Sequence, residues 1–184
     1  MTVWHYALIA AGSVLWAAPF PFFRKGRKGL SALDRRARWG VLLECLGYTL
    51  LWQGSFWTRS PAPWRTAVSI LLFAAAGALS WTSARALGRQ LRVDAALGAE
   101  HELICSGPYR LVRHPIYTSM LCVVLGTGLL ISPWYLLAAA LAIFLAGTEI
   151  RMRVEEDLLE ARFGDRFRRY RRDVPRFIPF VKVI

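Results

Sequence analysis

The sequence predicts an all-α, polytopic membrane protein with about five transmembrane helices, the last two forming a hairpin, and a cytosolic C-terminal helix. The chain of 184 residues is 55% hydrophobic with a mean hydropathy of +0.35, which is too apolar for a small soluble domain. Its charges are gathered in arginine-rich blocks between long apolar runs, as in helical membrane proteins. Because lipid cannot satisfy backbone polar groups, helices are the expected form of each span.

Five apolar runs are the candidate spans, at residues 3–23, 39–57, 65–87, 116–131 and 134–150. The first three approach the ~20 residues that a helix needs to cross the hydrocarbon core. We expect the first run to be a retained span, because no basic segment precedes it as in a secretory signal. The last two runs are shorter and are separated by Ser132-Pro133, which predicts a tight hairpin.

The distribution of basic residues predicts the topology. With five spans, 22 of the 24 Lys and Arg residues fall on one side, and Arg59 and Arg65 fall on the other. The positive-inside rule then places the N-terminus outside and the C-terminus in the cytosol. Arg greatly outnumbers Lys, which is typical of GC-rich genomes, so we expect a bacterial inner membrane.

The net charge of +12 raises the question of a nucleic-acid partner. The basic residues flank apolar spans and do not form a soluble face with interleaved aromatics, so we expect anionic lipids as partners and no nucleic acid. The three cysteines form no C-x-x-C pair and have no histidine at metal spacing, so we expect no metal. Cys105 adjoins a motif, which leaves a catalytic thiol as a minor alternative.

The first conspicuous segment is His-Glu-Leu-Ile-Cys-Ser-Gly-Pro-Tyr at 101–109, followed by Arg113 and His-Pro-Ile-Tyr at 114–117. Gly107-Pro108 predicts a turn, and Pro115 suits the first turn of the fourth span. The amide groups at the start of that helix, beside His114, are a natural place for an anionic group. The alternative is a basic interfacial loop followed by a helix-starting proline.

The second conspicuous segment lies where the fifth run ends. Arg151 and Glu155 are four residues apart and share one face of a helix, and a second acidic residue, Glu156, follows directly. The alternative is a simple ion pair of this spacing. The arginines of residues 162–172 could likewise make only a polybasic membrane contact.

Taken together, the two segments resemble the isoprenylcysteine carboxyl methyltransferase family and, more loosely, the related phospholipid methyltransferases. The resemblance rests on Ser-Gly-Pro-Tyr-x3-Arg-His-Pro-x-Tyr, a hydrophobic hairpin, Arg-x3-Glu-Glu-x2-Leu, Phe-Gly and Val-Pro-Arg-Phe-Ile-Pro, over about residues 101–180. A chain of this length usually forms one domain, so we expect a single domain over residues 1–184. In it, a three-helix membrane part (1–87) precedes a part that binds the cofactor and carries catalysis (88–184).

The resemblance also implies a cofactor and the residues that hold it. The cofactor is S-adenosyl-L-methionine, and the positions that match the family's cofactor contacts are His101, Glu102, Leu103, Ile104, Tyr109, His114, Pro115, Ile116, Tyr117 and Glu155. The arginine that the family uses to engage substrate corresponds to Arg151. The chain departs from the family pattern at Thr118-Ser119, where a glycine is usual, and at Asp94, where an amide side chain is usual.

Glu44 is a further candidate, because a carboxylate inside a span is costly in lipid and is a functional residue by default. We expect it either to contact substrate or to be a partnered polar residue between helices. Gly126 and Gly128, in the fourth run, are predicted to permit close approach by a neighbouring helix or a ligand.

The implied reaction is methyl transfer to the carboxylate of a lipidic or isoprenoid-bearing acceptor at the cytosolic membrane face. Such a transfer is an in-line displacement that needs alignment and, for an ionised carboxylate, no general base. The acceptor, lipidic or prenylated, would enter from the bilayer. The alternatives are methylation of a phospholipid amine or another small hydrophobic amine, a non-catalytic membrane scaffold of the same fold, and a nicotinamide-dependent membrane reductase.

Overall fold

The computed structural model describes residues 3–23, 35–53, 60–88, 91 and 102–179, and the regular elements among them are all helical. The α-helices are α1 (Val3–Ala17), α2 (Pro19–Phe23), α3 (Arg35–Leu50), α4 (Pro63–Leu87), α5 (Pro115–Ile131), α6 (Trp134–Phe163) and α7 (Asp165–Asp173). A short 3-10 helix, Gly107–Arg110, precedes α5. The predicted all-α class is therefore confirmed.

Among the described residues, three stretches are long and apolar enough to cross a membrane, namely Val3–Phe23, Pro63–Leu87 and Trp134–Phe163. The 17 residues of α5 form a shorter apolar helix. The second predicted run corresponds to a shorter and more polar helix than expected. This helix, α3, has 16 residues and includes charged residues at its start. These features fit a polytopic membrane protein, and the count of five spans stays a prediction.

Two helices differ in extent from the apolar runs that predicted them. The second run was expected at 39–57, whereas α3 begins at Arg35 and ends at Leu50. The fifth run was expected to end at 150, whereas α6 continues to Phe163 and ends at Gly164, which has a φ of 51°. The reason is that residues 151–163 contain no Gly or Pro, so the helix continues although the hydropathy falls.

The helices pack in two groups. α3 lies along α6, while α4 lies along α5 and also contacts α1. α4 and α5 are antiparallel, since Ser69 Oγ near the start of α4 donates to the Gly126 carbonyl at 2.9 Å and Arg65 donates to the Ser132 carbonyl at 2.6 Å. An apolar core joins the groups and includes Ile9, Leu51, Phe73, Val124 and Phe144.

The helix ends that adjoin the basic segments lie at one end of the bundle. Phe23, which ends α2, packs against Trp81 in the last turns of α4. Ala37, near the start of α3, packs against Val154 of α6. The 3-10 helix that leads into α5 also contacts α4. Arg65 lies at the opposite end, so the arrangement agrees with the charge partition that the sequence predicts.

Glycines set the distance between α3 and α6. A Cβ at Gly47 would lie 2.7 Å from the Ala140 carbonyl oxygen, and one at Gly147 would lie 2.5 Å from the Gly40 carbonyl oxygen. Backbones this close leave no room for a side chain. In α5, Gly128 faces Leu137 and Leu51, and Gly126 faces Phe73, so these two glycines serve helix packing.

We predict that Gly147→Ala destabilises the protein by about 1–3 kcal/mol, the usual cost of overpacking. The new Cβ would meet backbone atoms of Gly40 and Glu44, which cannot rotate away. Thermal unfolding of the detergent-purified protein measures the loss. Ala146→Val is the matched control, because Ala146 is the exposed neighbour on the same helix. Equal losses in the two variants would contradict the close approach of α3 and α6.

Candidate functional site

The site lies where the start of α5, the part of α6 beyond Ile150 and the C-terminal segment (residues 174–177) meet. The Arg113 amide donates to the Pro175 carbonyl at 2.9 Å, and the His114 amide donates to the Arg176 carbonyl at 3.1 Å. The Thr118 hydroxyl donates to the Phe177 carbonyl at 2.7 Å. The C-terminal segment is therefore bound along the beginning of α5.

These backbone bonds limit which amides could fulfil one expectation from the sequence, which stays a prediction. The amides at the start of α5 were expected to receive an anionic group beside His114. In the structure the Arg113 and His114 amides already donate to carbonyls of the C-terminal segment, and Pro115 has no N–H. The amide donors that this helix start can offer to an anion therefore lie beyond Pro115.

Glu156 is the buried carboxylate that several side chains of the site contact. Its Oε1 accepts a hydrogen bond from Arg113 Nε at 2.9 Å and lies 3.1 Å from His114 Nε2. Arg176 Nε forms an ion pair with the same oxygen at 3.3 Å. The guanidinium of Arg113 also donates to the carbonyls of Arg171 and Val174, which binds the end of α7 to the cluster. Three cationic side chains thus compensate one buried carboxylate, as burial of a charge requires.

His114 stands between the two acidic residues of α6. Its Nε2 faces Glu156, and its Nδ1 lies 3.5 Å from Glu155 Oε2. Burial by itself lowers the pKa of the His114 imidazole, but hydrogen bonds and negative charge from Glu155 and Glu156 raise that pKa above its ordinary value. The surroundings therefore favour the doubly protonated ring.

Tyr117 connects Glu155 to Arg151. The Tyr117 hydroxyl donates a hydrogen bond to Glu155, and the guanidinium carbon of Arg151 lies 4.9 Å from the centre of the Tyr117 ring. The Glu155 side chain is 30% exposed, whereas that of Glu156 is 7% exposed. Of the two neighbouring carboxylates, Glu155 is therefore the one that a ligand can reach.

Arg151 also reaches across to α3. Its Nη1 donates to Glu44 Oε2 at 2.7 Å, and Thr148 Oγ1 donates to the other oxygen of Glu44 at 3.0 Å. Glu44 is 4% exposed and is therefore a partnered polar residue between two helices. This was one of the two expectations for it from the sequence. The structure therefore links the two residues that the sequence suggested for substrate contact, and a role of Glu44 toward substrate stays a prediction.

The segment before α5 contains the remaining predicted cofactor contacts. Glu102 is exposed, while Leu103 and Ile104 are half-buried in the non-helical stretch that leads into the 3-10 helix. His101, and the departure from the family pattern at Asp94, lie outside the described residues.

Tyr109 is buried, and its carbonyl accepts a hydrogen bond from the Tyr170 hydroxyl of α7 at 2.6 Å. Burial raises the pKa of the Tyr109 phenol, and the nearby charge of Glu155 raises it further, so the phenol stays protonated. Pro115 and Ile116 form the first turn of α5, with Pro115 buried and Ile116 half-buried.

Three members of the cluster were not predicted as functional residues: Arg113, Glu156 and Arg176. Each stands inside a quoted motif, beside His114, beside Glu155 and after Pro175, respectively. Their position in the motifs was therefore a signal. Their convergence on one oxygen, however, brings together Arg113 and Glu156, which are 43 residues apart, and Arg176, which is 20 residues beyond Glu156.

The chemistry that these side chains offer is binding and orientation. Burial raises the pKa of the Cys105 thiol, which opposes the minor alternative of a thiolate nucleophile. Within the described part of the chain, no group of three or more His, Cys, Asp or Glu side chains is arranged to hold a metal ion. The partly accessible group is the Glu155 carboxylate, with a side chain that is 30% exposed. It lies beside the buried ring of Tyr117, and the Arg151 guanidinium, on a side chain that is 12% exposed, stands over that ring.

Comparison with known proteins identifies the family. The profile of the phospholipid methyltransferase family matches residues 64–166, which is more than half of the 184-residue chain. No curated protein matches the chain. The matched region includes the 3-10 helix, α5 and α6, and thus the cluster around His114 and Glu155. The resemblance to the isoprenylcysteine carboxyl methyltransferases is confirmed at the level of this family, which covers them. The chain belongs to the phospholipid methyltransferase family and is a membrane methyltransferase by that membership.

Proposed function

We propose that this protein transfers the methyl group of S-adenosyl-L-methionine to the carboxylate of a lipidic or isoprenoid-bearing acceptor at the cytosolic face of the membrane. The cofactor supplies a methyl group on a sulfonium, which is already a good leaving group. The enzyme then mainly has to align the acceptor oxygen, the methyl carbon and the sulfur. A site that binds and orients, without a nucleophile and base of its own, suits this reaction.

The observation that carries the proposal is that Glu155 and Arg151 flank the same tyrosine. Glu155 accepts the Tyr117 hydroxyl proton in a hydrogen bond, and Arg151 stands over the face of the Tyr117 ring. An exposed carboxylate fits the ammonium group of the cofactor, and a guanidinium fits an acceptor carboxylate. The two ligands would thus be bound on adjacent turns of α6, close enough for direct transfer.

Glu44 supports the role of Arg151. Its buried carboxylate holds the guanidinium by a 2.7 Å hydrogen bond and so fixes the direction of a long, otherwise mobile side chain. The pairing also neutralises part of the charge of Arg151, which weakens its pull on the acceptor oxygen and preserves some of that oxygen's nucleophilicity. We assign Glu44 to orientation of the substrate-binding arginine.

The membrane supplies the acceptor in this proposal. A water-soluble cofactor would enter from the cytosol, and a lipid-tailed acceptor would arrive laterally between helices. The positive-inside rule supports this orientation, with the N-terminus outside and the site-bearing end in the cytosol of a bacterial inner membrane. The arginines at that end favour anionic lipids around the protein.

A second candidate keeps the cofactor and changes the acceptor to a phospholipid amine or another small hydrophobic amine. The description of the matching family favours it. An ammonium group must lose a proton before it can attack, whereas a carboxylate is already ionised at neutral pH. The two candidates therefore differ in their dependence on pH.

We predict that the purified protein binds S-adenosyl-L-methionine, that Glu155→Ala abolishes the binding and that His114→Ala weakens it. Glu155 provides the accessible carboxylate, and His114 holds it in place. Isothermal titration calorimetry in detergent measures both effects. Glu160→Gln is the control, because Glu160 is an acidic residue of the same helix that pairs with Arg168 and Arg171. Wild-type affinity in both site variants would show that the site assignment is wrong.

We predict that Arg151→Gln retains cofactor binding but lowers turnover by at least about tenfold, as expected when a charged contact to the acceptor is lost. Glutamine can still donate a hydrogen bond to Glu44, which limits the penalty for the buried carboxylate. Methyl transfer to a membrane-extract acceptor is compared with cofactor affinity for the same preparation. Unchanged turnover would exclude Arg151 from the substrate site.

We predict that membranes incubated with cofactor labelled in its methyl group yield a lipid-phase product whose label is released by mild base, as expected of a methyl ester. The rate should change little between pH 7 and pH 9 at saturating cofactor, since the acceptor carboxylate is ionised throughout this range. A base-stable product formed at a rate that rises with pH would instead establish the amine acceptor.

A further inference from the structure

Glu156 and Glu155 are neighbours in the sequence with opposite surroundings. Glu156 faces inward, and a single oxygen of its carboxylate contacts Arg113, His114 and Arg176. Glu155 is partly exposed and contacts Tyr117 and His114. His114 is thus the side chain that touches both carboxylates, one with each ring nitrogen.

The two contacts of His114 restrict the state of its ring. A neutral imidazole has one N–H and can donate to one carboxylate, whereas an imidazolium has two and can donate to both. Since a carboxylate only accepts, the arrangement is complete when the ring is protonated on both nitrogens. Among the described residues, other charged or titratable groups also face this cluster. Tyr117 on α5 has its ring centre 5.7 Å from that of His114, and Arg113 before α5 and Arg176 in the C-terminal segment contact Glu156. Arg151 on α6 and Tyr109 on the 3-10 helix interact with the charge of Glu155, and Tyr170 on α7 interacts with that of Glu156.

We propose that Glu156 is a positioning residue, which keeps His114 as a two-donor ring and thereby holds Glu155 in the direction needed to bind the cofactor's ammonium group. The inference rests on the proposed function, in which Glu155 binds the cofactor. Glu156 itself does not touch the ligand, because its side chain is 7% exposed and already contacts three cations. Its effect passes through the imidazole.

The same oxygen also fixes where the imidazole stands. Arg113 precedes His114 in the chain, and Arg176 belongs to the segment whose carbonyl accepts the His114 amide proton. Both guanidinium groups converge on Glu156, so the backbone on each side of the ring is held against α6. The C-terminal segment therefore helps to position His114, although it is far from Glu155 in the sequence.

A buried carboxylate among three cations could equally be a purely structural anchor. The two roles differ in their effect on His114, because a structural anchor need not set the charge of the ring. Glu149 provides the matched control. It pairs with Arg176 at 2.8 Å, as Glu156 does at 3.3 Å, and it also pairs with Arg153 at 2.6 Å.

The experiment compares the wild type, Glu156→Gln and Glu149→Gln in detergent. NMR of histidine-labelled protein gives the titration midpoint of His114, assigned by loss of its signal in His114→Asn. Calorimetry gives the affinity for S-adenosyl-L-methionine between pH 6 and pH 9. We expect Glu156→Gln to move the His114 midpoint to lower pH and to weaken cofactor binding about tenfold at pH 7, the scale of a charge-assisted hydrogen bond. We expect Glu149→Gln to change neither.

The sign of the pH dependence follows from the raised pKa of His114. In the wild type, both ring N–H groups are present below that pKa, and affinity should fall as pH rises through it. In Glu156→Gln the fall should begin at lower pH. A wild-type His114 midpoint at or below that of free histidine would overturn the inference, even if the Gln variant does not fold. An unchanged midpoint or affinity in a folded Gln variant would overturn it as well.

Failure of the proposed function gives a different result. If the wild-type protein binds no S-adenosyl-L-methionine, the cofactor assignment is wrong. The titration of His114 then still shows whether Glu156 sets the charge of the ring, so the two failures are distinguishable.

Discussion

The site is organised around the need to compensate one buried carboxylate. Removing Glu156 from water costs several kcal/mol unless cations approach it closely, and Arg113, His114 and Arg176 all do so. Two of these residues directly precede α5, and the third belongs to the C-terminal segment. Because these cations compensate the charge of Glu156, both segments lie against α6. Backbone hydrogen bonds between the two segments stabilise the same contact. The accessible carboxylate of Glu155 owes its place to this arrangement.

The membrane part contributes through a second buried pair. Gly47 and Gly147 let α3 and α6 approach until their backbones are in contact. At that distance Glu44 can reach Arg151 and Thr148 across the helix interface. Glycine packing in the bundle is thus connected to the guanidinium that we assign to the acceptor. Membrane helices often associate through small residues in this way, because there is no hydrophobic driving force for helix association within the lipid bilayer.

Part of this molecule could be predicted from local patterns. Apolar runs predicted the helices, Ser132-Pro133 predicted the hairpin, and Pro115 predicted the start of α5. The ends of α3 and α6 differ from the ends of the apolar runs, because hydropathy indicates where a segment meets lipid, whereas a helix can continue into polar sequence, as α6 does to Phe163. The motifs indicated Glu155, Arg151 and the His-Pro-Ile-Tyr run, whose described members cluster as expected. His101, a further predicted cofactor contact, lies outside the described residues.

The sequence by itself determined the helical membrane class, the family and the segments that form the site. Composition, residue spacing and motifs indicate each of these, and all three are local properties of the chain. The tertiary structure decided what these charged residues contact. It separated two adjacent glutamates into a buried anchor and an accessible carboxylate, and it paired Arg151 with Glu44 from another helix. Neighbouring residues on a helix point in different directions, so their surroundings depend on which helices pack beside them. That packing is a property of the whole fold and not of any local stretch of sequence.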